Sequence, residues 1–101
     1  MKLVFSSVFE CDFAELAGYF FEQAGTGVSR QFEDSISRLA KLLLRNPELG
    51  RARRDLKPEG IRSLPIPDFR NYLLFYRVDG NSLVLLRVRF AGMDLPALFQ
   101  S

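Results

Sequence analysis

The spacing of hydrophobic positions switches along the chain between a helical and a strand period. Phe9, Phe13, Leu16, Ala17, Phe20 and Ala24 recur at helical spacing and predict a first helix reaching about Gln23. Ser7 and Glu10 have the spacing of a capping box, with Ser7 as N-cap and Glu10 reaching back to its amide. Gly25-Thr26-Gly27 breaks this helix, because glycine tolerates the left-handed conformation that commonly ends one. A second helix is expected from about Val28 to Arg45, burying Phe32, Ile36, Leu39, Ala40 and Leu43. Asn46-Pro47 stops it, since the residue before a proline disfavours the α region. Leu42 and Leu44 fall outside this stripe, so either the stripe is wide or a partner covers part of the helix.

Elsewhere the period is that of strands. Lys2 to Phe5 reads as a short first strand, and Gly60 to Ile66 as another with prolines at its exit. Phe69 to Asp94 reads as two long strands joined by a tight turn at Asp79-Gly80-Asn81, where glycine supplies the positive φ. By parity, Tyr72, Leu74, Tyr76, Val78, Val84, Leu86, Val88 and Phe90 form one apolar face. Asn71, Leu73, Phe75, Arg77, Leu83, Leu85, Arg87 and Arg89 form the other, expected to be partly wet. The order is strand, helix, helix, strand, strand, strand. That order implies a two-layer α+β domain, an antiparallel helix hairpin packed on one face of a small antiparallel sheet. The apolar tail Leu95 to Phe99 is expected to dock, through Leu98 and Phe99, on this chain or on a partner.

Composition narrows the chemistry more than the fold. The 101 residues suit a single domain, and the start goes straight into an amphipathic pattern without a cleavable signal. With no apolar run of membrane-spanning length, the expectation is a cytoplasmic chain. One cysteine and no histidine exclude an internal disulfide, thiolate metal clusters and imidazole base catalysis. Cys11, flanked by Phe9 and Phe13, reads as packing rather than as a nucleophile. Asp12, Glu15, Glu33 and Asp34 show no metal-ligand spacing and read as a solvated acidic surface. Net charge is only +2, so clustering matters more than the total. The cations concentrate in Arg45, Arg51, Arg53, Arg54 and Lys57, on a loop that is either a solvated connection or an anion-facing surface. Arg62, Arg77, Arg87 and Arg89 come from adjacent strands. Guanidinium groups bind phosphate or carboxylate, so this set suits RNA cleavage and an acidic protein partner equally.

A resemblance enters at these residues. Asn46-Pro47-Glu48-Leu49-Gly50-Arg51, Gly60-Ile61-Arg62, Asn71 to Val78, Leu86-Arg87-Val88 and Met93-Asp94 occur in an order that resembles the RelE/ParE toxin superfamily. The ParE-like branch, toxins of bacterial type II toxin–antitoxin systems, is the nearer, and the resemblance covers nearly the whole chain. It implies the same two-layer fold and a protein that arrests growth by binding and inhibiting DNA gyrase. It also implies a cognate antitoxin, a dimeric DNA-binding protein whose flexible tail wraps the toxin. The alternatives are a RelE-like ribosome-dependent endoribonuclease of messenger RNA, with Arg62 and Arg87 or Arg89 on the phosphate, and an inactive toxin kept as an antitoxin-binding module. Met93 and Phe99 stand where the ribonuclease pattern has Arg and Tyr, and neither carries a proton or a fixed charge. Tyr72 and Tyr76 are placed in the core. Phe90-Ala91-Gly92 stands where the ParE branch often has a His-containing segment. The implied target-binding residues are Arg62, Arg77, Arg87, Arg89, Met93 and Asp94. The antitoxin tail is placed on Phe21, Leu42 and Leu44, because a segment that folds on binding needs apolar anchors. No cofactor and no metal is expected.

Overall fold

Ser6, rather than Ser7, starts the first helix. In the computed structural model, which describes residues 1–99, Ser6 is extended and its hydroxyl accepts the Phe9 N–H at 2.9 Å. The same hydroxyl donates to the Leu86 carbonyl at 2.9 Å, which ties the cap to the sheet and moves the helix start by one residue. Ser6→Ala should therefore cost about 1 kcal/mol in urea unfolding. Ser7→Ala, at an exposed position, should stay within about 0.5 kcal/mol. A larger effect at Ser7 than at Ser6 would contradict this assignment.

Helix α1 (Ser7–Ala24) and helix α2 (Thr26–Arg45) are joined by Gly25 alone, at φ 88°. The break is thus shorter than Gly25-Thr26-Gly27, and α2 begins two residues before Val28. Phe32, Ile36, Leu39, Ala40 and Leu43 are all buried, as the helical stripe requires. Strand β1 (Lys2–Phe5) precedes the helices; β2 (Arg51–Ala52), β3 (Arg62–Ile66), β4 (Phe69–Asp79) and β5 (Ser82–Phe90) follow them. A last turn of helix, α3, spans Leu95–Leu98. The sheet order is β1-β5-β4-β3-β2. Strands β2 to β5 form an antiparallel meander, and β1 joins β5 in parallel, Lys2 opposite Ser82 and Phe5 opposite Leu85.

The simple parity of β5 does not hold. Phe75 pairs with Arg87 but Tyr76 pairs with Leu85, so Leu86 is an extra residue in the ladder. An inserted residue exchanges the two faces of a strand from that point on. Leu83 and Leu85, expected on the wet face, are fully buried beneath the helices with Leu74, Tyr76 and Val88. Leu86, expected beneath the helices, packs instead on the opposite face. That opposite face is also drier than expected around Phe75, which is fully buried. Leu56, Ile61 and Leu95 cover it with Phe99, whose ring lies 5.1 Å from that of Phe75. The C-terminal tail therefore docks on this chain.

Aromatic side chains join the helices to the sheet. Phe9, Phe13 and Phe32 stack in sequence at ring distances of 5.9 and 6.0 Å. Phe20 then contacts Phe32 and Phe69, each at 5.0 Å. Phe9 and Phe13 are four residues apart on one helix face, which is why a helical period in phenylalanine produces a stack.

Candidate functional site

Strand β1 ends opposite Leu85, which leaves the rest of β5 without a strand neighbour on the side away from β4. Side chains from α1 and its cap take that place. The Ser6 hydroxyl reaches the Leu86 carbonyl, and the Asp12 carboxylate accepts the Val88 N–H at 3.3 Å. Asp12 also accepts Arg87 Nε at 2.8 Å, Arg87 Nη2 at 2.9 Å and Arg89 Nη1 at 3.2 Å. Asp12 is only 3% exposed, so it does not belong to a solvated acidic surface. Its hydrogen bond and charge raise the Arg87 pKa further. The sequence held a signal for this: Asp12 lies three residues after Phe9 and four before Leu16, inside the apolar stripe. Cys11, by contrast, is exposed rather than packed.

The two arginines carry this anchor to the chain end. Arg87 Nη1 donates to the Leu98 carbonyl at 3.4 Å, holding α3 against the sheet. Arg89 Nη2 lies 3.3 Å from Met93 Sδ, steadying the turn that leaves β5. Arg89 Nε is buried without a partner among the described residues.

At the other end of the sheet a second polar set holds the segment Asn46–Gly50. The buried Tyr76 hydroxyl donates to the Pro47 carbonyl at 2.7 Å and accepts the Gly50 N–H at 2.8 Å. Arg62 Nη1 donates to the carbonyls of Gly50 at 2.7 Å and Glu48 at 3.2 Å. A Cβ on Gly50 would sit 2.7 Å from the Tyr76 ring, so glycine is required by close approach. Burial raises the Tyr76 phenol above its usual pKa, and burial does the same to Tyr72.

The basic loop divides into inward and outward cations. Arg53 is buried, donating to Ser63 Oγ at 3.1 Å and to both Asp55 oxygens at 3.0 and 2.8 Å, with its guanidinium over the Phe75 ring. The Arg53 hydrogen bonds hold the Asp55 carboxyl down at about 2. Arg51, Arg54 and Lys57 remain exposed.

Two concavities include residues in or next to β1. A groove of about 390 Å³ between β1, α1 and α2 is walled by Leu3, Phe5, Phe9, Phe13, Ile36 and Ala40, with Glu10, Glu33 and Lys41 on its rim. A depression of about 790 Å³ is lined by Met1, Arg45, Asn46, Pro47, Glu48, Leu49, Gly60, Arg62 and Val78. Among the described residues there is no cluster of His, Cys, Asp and Glu that could hold a metal, and no helix long and apolar enough to cross a membrane.

The profile of the ParE toxin of the type II toxin–antitoxin system parDE matches residues 3–95. The chain belongs to the ParE toxin family. No curated protein sequence matches it significantly. Among solved structures it is similar to a chain of the chromosomal ParDE toxin–antitoxin system from P. aeruginosa. That likeness has a TM-score of 0.73 and 20% identity, and it covers 89% of this chain and 95% of the other. At this identity the likeness establishes the shared fold.

On this ParE fold the residues singled out from sequence are dispersed. Arg62 pairs with Tyr76 and so shares the helix-side face, whereas Arg77 pairs with Val84 on the opposite face. Arg87 and Arg89 lie further along β5 and turn toward Asp12. The four arginines therefore do not form one group. Met93 is exposed, and Asp94 accepts the Ala97 N–H at 3.4 Å as the cap of α3. Phe21 and Leu42 are exposed, while Leu44 is half-buried against the core. Phe21 lies near the hairpin bend and Leu42 near its open end, about 20 Å apart along the helix axes at 1.5 Å per residue. The apolar groove at β1 was missed, because its walls mix strand and helix residues that no single period connects.

Proposed function

We propose that this ParE-family chain arrests growth by binding and inhibiting DNA gyrase, and that an antitoxin neutralises it. The observation that carries the binding reading is the commitment of Arg87, Arg89 and the Tyr76 phenol, with Arg62 partly engaged. Arg87 and Arg89 are taken by Asp12, Arg62 gives one nitrogen to two backbone carbonyls, and the Tyr76 hydroxyl is tied at both ends. A ribonuclease needs a positioned proton carrier beside free positive charge. Here burial makes the Tyr76 phenol harder to ionise, and Arg87 and Arg89 hold structure.

In this reading the target meets the exit of β5, where Phe90 and Met93 are exposed beside Asp94 and Arg89 steadies the turn. Arg77 supplies a half-buried cation without a side-chain partner among the described residues. The antitoxin tail takes the groove beside β1, whose exposed Phe5 and buried Phe9 offer an apolar floor to an amphipathic helix. This places the tail away from Phe21.

Two assays test the proposal together. The purified chain should inhibit gyrase supercoiling in vitro, and its induction in cells should stop growth while messenger RNA stays intact. Ribosome-dependent cleavage of translated messages with unaffected supercoiling would overturn it. Adding the antitoxin should restore supercoiling.

A further inference from the structure

The segment Asn46–Gly50 is held in place more firmly than a connecting loop requires. A buried tyrosine hydroxyl and an arginine bond three of its carbonyls and the Gly50 N–H, and the Leu49 N–H closes a turn onto Asn46 O at 3.0 Å. What this rigid backbone presents is a leucine in water: Leu49 is 51% exposed. Met1 and Val78, 49% and 41% exposed, line the same depression, with Arg45, Arg62 and Glu48 as its charged wall residues. An ordered apolar cluster flanked by two arginines and one glutamate, and so net cationic, is the make-up of a protein-binding patch, since preorganisation lowers the ordering cost of association. Its apolar part disfavours a nucleic-acid backbone, which has no leucine-sized group to bury there.

The depression also continues the groove beside β1. Lys41 on the groove rim and Arg45 on the depression wall are four residues apart on α2, and so lie on one helix face. Leu3 in the groove and Met1 in the depression are two residues apart at the β1 end. One extended ligand can therefore run through both. Arg45 makes no side-chain hydrogen bond or ion pair among the described residues, and Arg62 uses only Nη1.

We propose that the depression formed by Leu49, Met1, Val78, Arg45 and Arg62 binds an acidic, leucine-bearing end of the antitoxin tail whose apolar helix fills the groove. This deepens the antitoxin reading above and rests on it. Arg45 and the open edge of Arg62 pair with carboxylates, while Leu49 and Val78 take the apolar side chains between them. The Tyr76 and Arg62 bonds keep the pocket formed before the tail arrives.

The test uses two synthetic peptides with the same alanine- and leucine-rich amphipathic helix. One ends in Glu-Leu-Asp-Leu-Glu and the other in Lys-Leu-Lys-Leu-Lys, and binding to the full chain is read by fluorescence anisotropy. The acidic-ended peptide should bind about tenfold more tightly or better at low salt, with the gap closing as salt rises. Arg45→Glu should remove that preference, and Leu49→Asp should weaken the acidic-ended peptide by about tenfold. Both positions are exposed, so unchanged thermal unfolding would verify that the variants fold. Equal binding of the two peptides, or no effect of either substitution, would overturn this inference while leaving the groove intact as a tail site. Binding of neither peptide would overturn the groove reading and this inference together.

Discussion

Asp12→Ala is expected to lower the unfolding free energy by about 3–5 kcal/mol. The carboxylate is only 4% exposed through its side chain and serves Arg87 and Arg89, themselves 18% and 17% exposed. Removing it leaves the Val88 N–H without its acceptor, Arg87 with only the Leu98 carbonyl, and Arg89 with only Met93 and the exposed Glu15 carboxylate at 3.8 Å. For a domain of this length, each kcal/mol moves the melting temperature by about 4–8 °C, so the midpoint should fall by roughly 12 °C or more. Asp12→Asn, which keeps the shape and one acceptor oxygen but not the charge, should fall between the wild type and Asp12→Ala.

The origin of this loss is separable. If it comes from stranded cations rather than lost packing, replacing all three groups by apolar residues should recover much of it. Asp12→Leu with Arg87→Met and Arg89→Met should therefore be more stable than Asp12→Ala alone. A loss below about 1 kcal/mol in Asp12→Ala would mean that the pair is dispensable, as exposed ion pairs commonly are. The triple variant would also free the exit turn of β5, because Arg89 would no longer reach Met93.

How legible these features were depends on the range over which each is encoded. The stripe from Phe32 to Leu43 was readable because every member sits on one uninterrupted helix, so period alone predicts burial. The faces of β5 were misread because alternation survives only while the ladder is regular, and nothing local marks Leu86 as the extra residue. Asp12 was misread by residue type. A carboxylate is usually outside, yet its place in the apolar stripe and the arginines on the last strand pointed inward together. Phe21 and Leu42 are exposed as expected, but exposure does not tell proximity, and the helix hairpin sets them far apart. The role of Asn46-Pro47-Glu48-Leu49-Gly50 rests on Tyr76, 26 residues beyond Gly50, and no local pattern reports such a bond.

That bond makes Gly50 the position where the smallest change should have a disproportionate effect. Gly50→Ala puts a methyl group 2.7 Å from the ring and hydroxyl of Tyr76 and 3.1 Å from the Ser63 carbonyl. Neither neighbour can yield easily: Tyr76 is fully buried, and Ser63 is paired with Phe75 inside the sheet. Overpacking against such surroundings costs about 1–3 kcal/mol, and the loss of the Tyr76 hydrogen bonds adds roughly 1 kcal/mol more. Gly27→Ala is the control, since its methyl would meet nothing within 4 Å and would lie inside α2. It should stabilise the chain by about 0.5 kcal/mol through reduced backbone entropy. Tyr76→Phe should not rescue Gly50→Ala, because the ring carbon at 2.7 Å remains. Urea unfolding of the three variants measures all of these terms, and an unaltered midpoint in Gly50→Ala would mean the loop yields. The same displacement would carry Leu49 out of line with Met1 and Val78. Gly50→Ala should then also weaken the acidic-ended peptide even at temperatures where the chain remains folded, which links the packing of one buried hydroxyl to the shape of the binding surface.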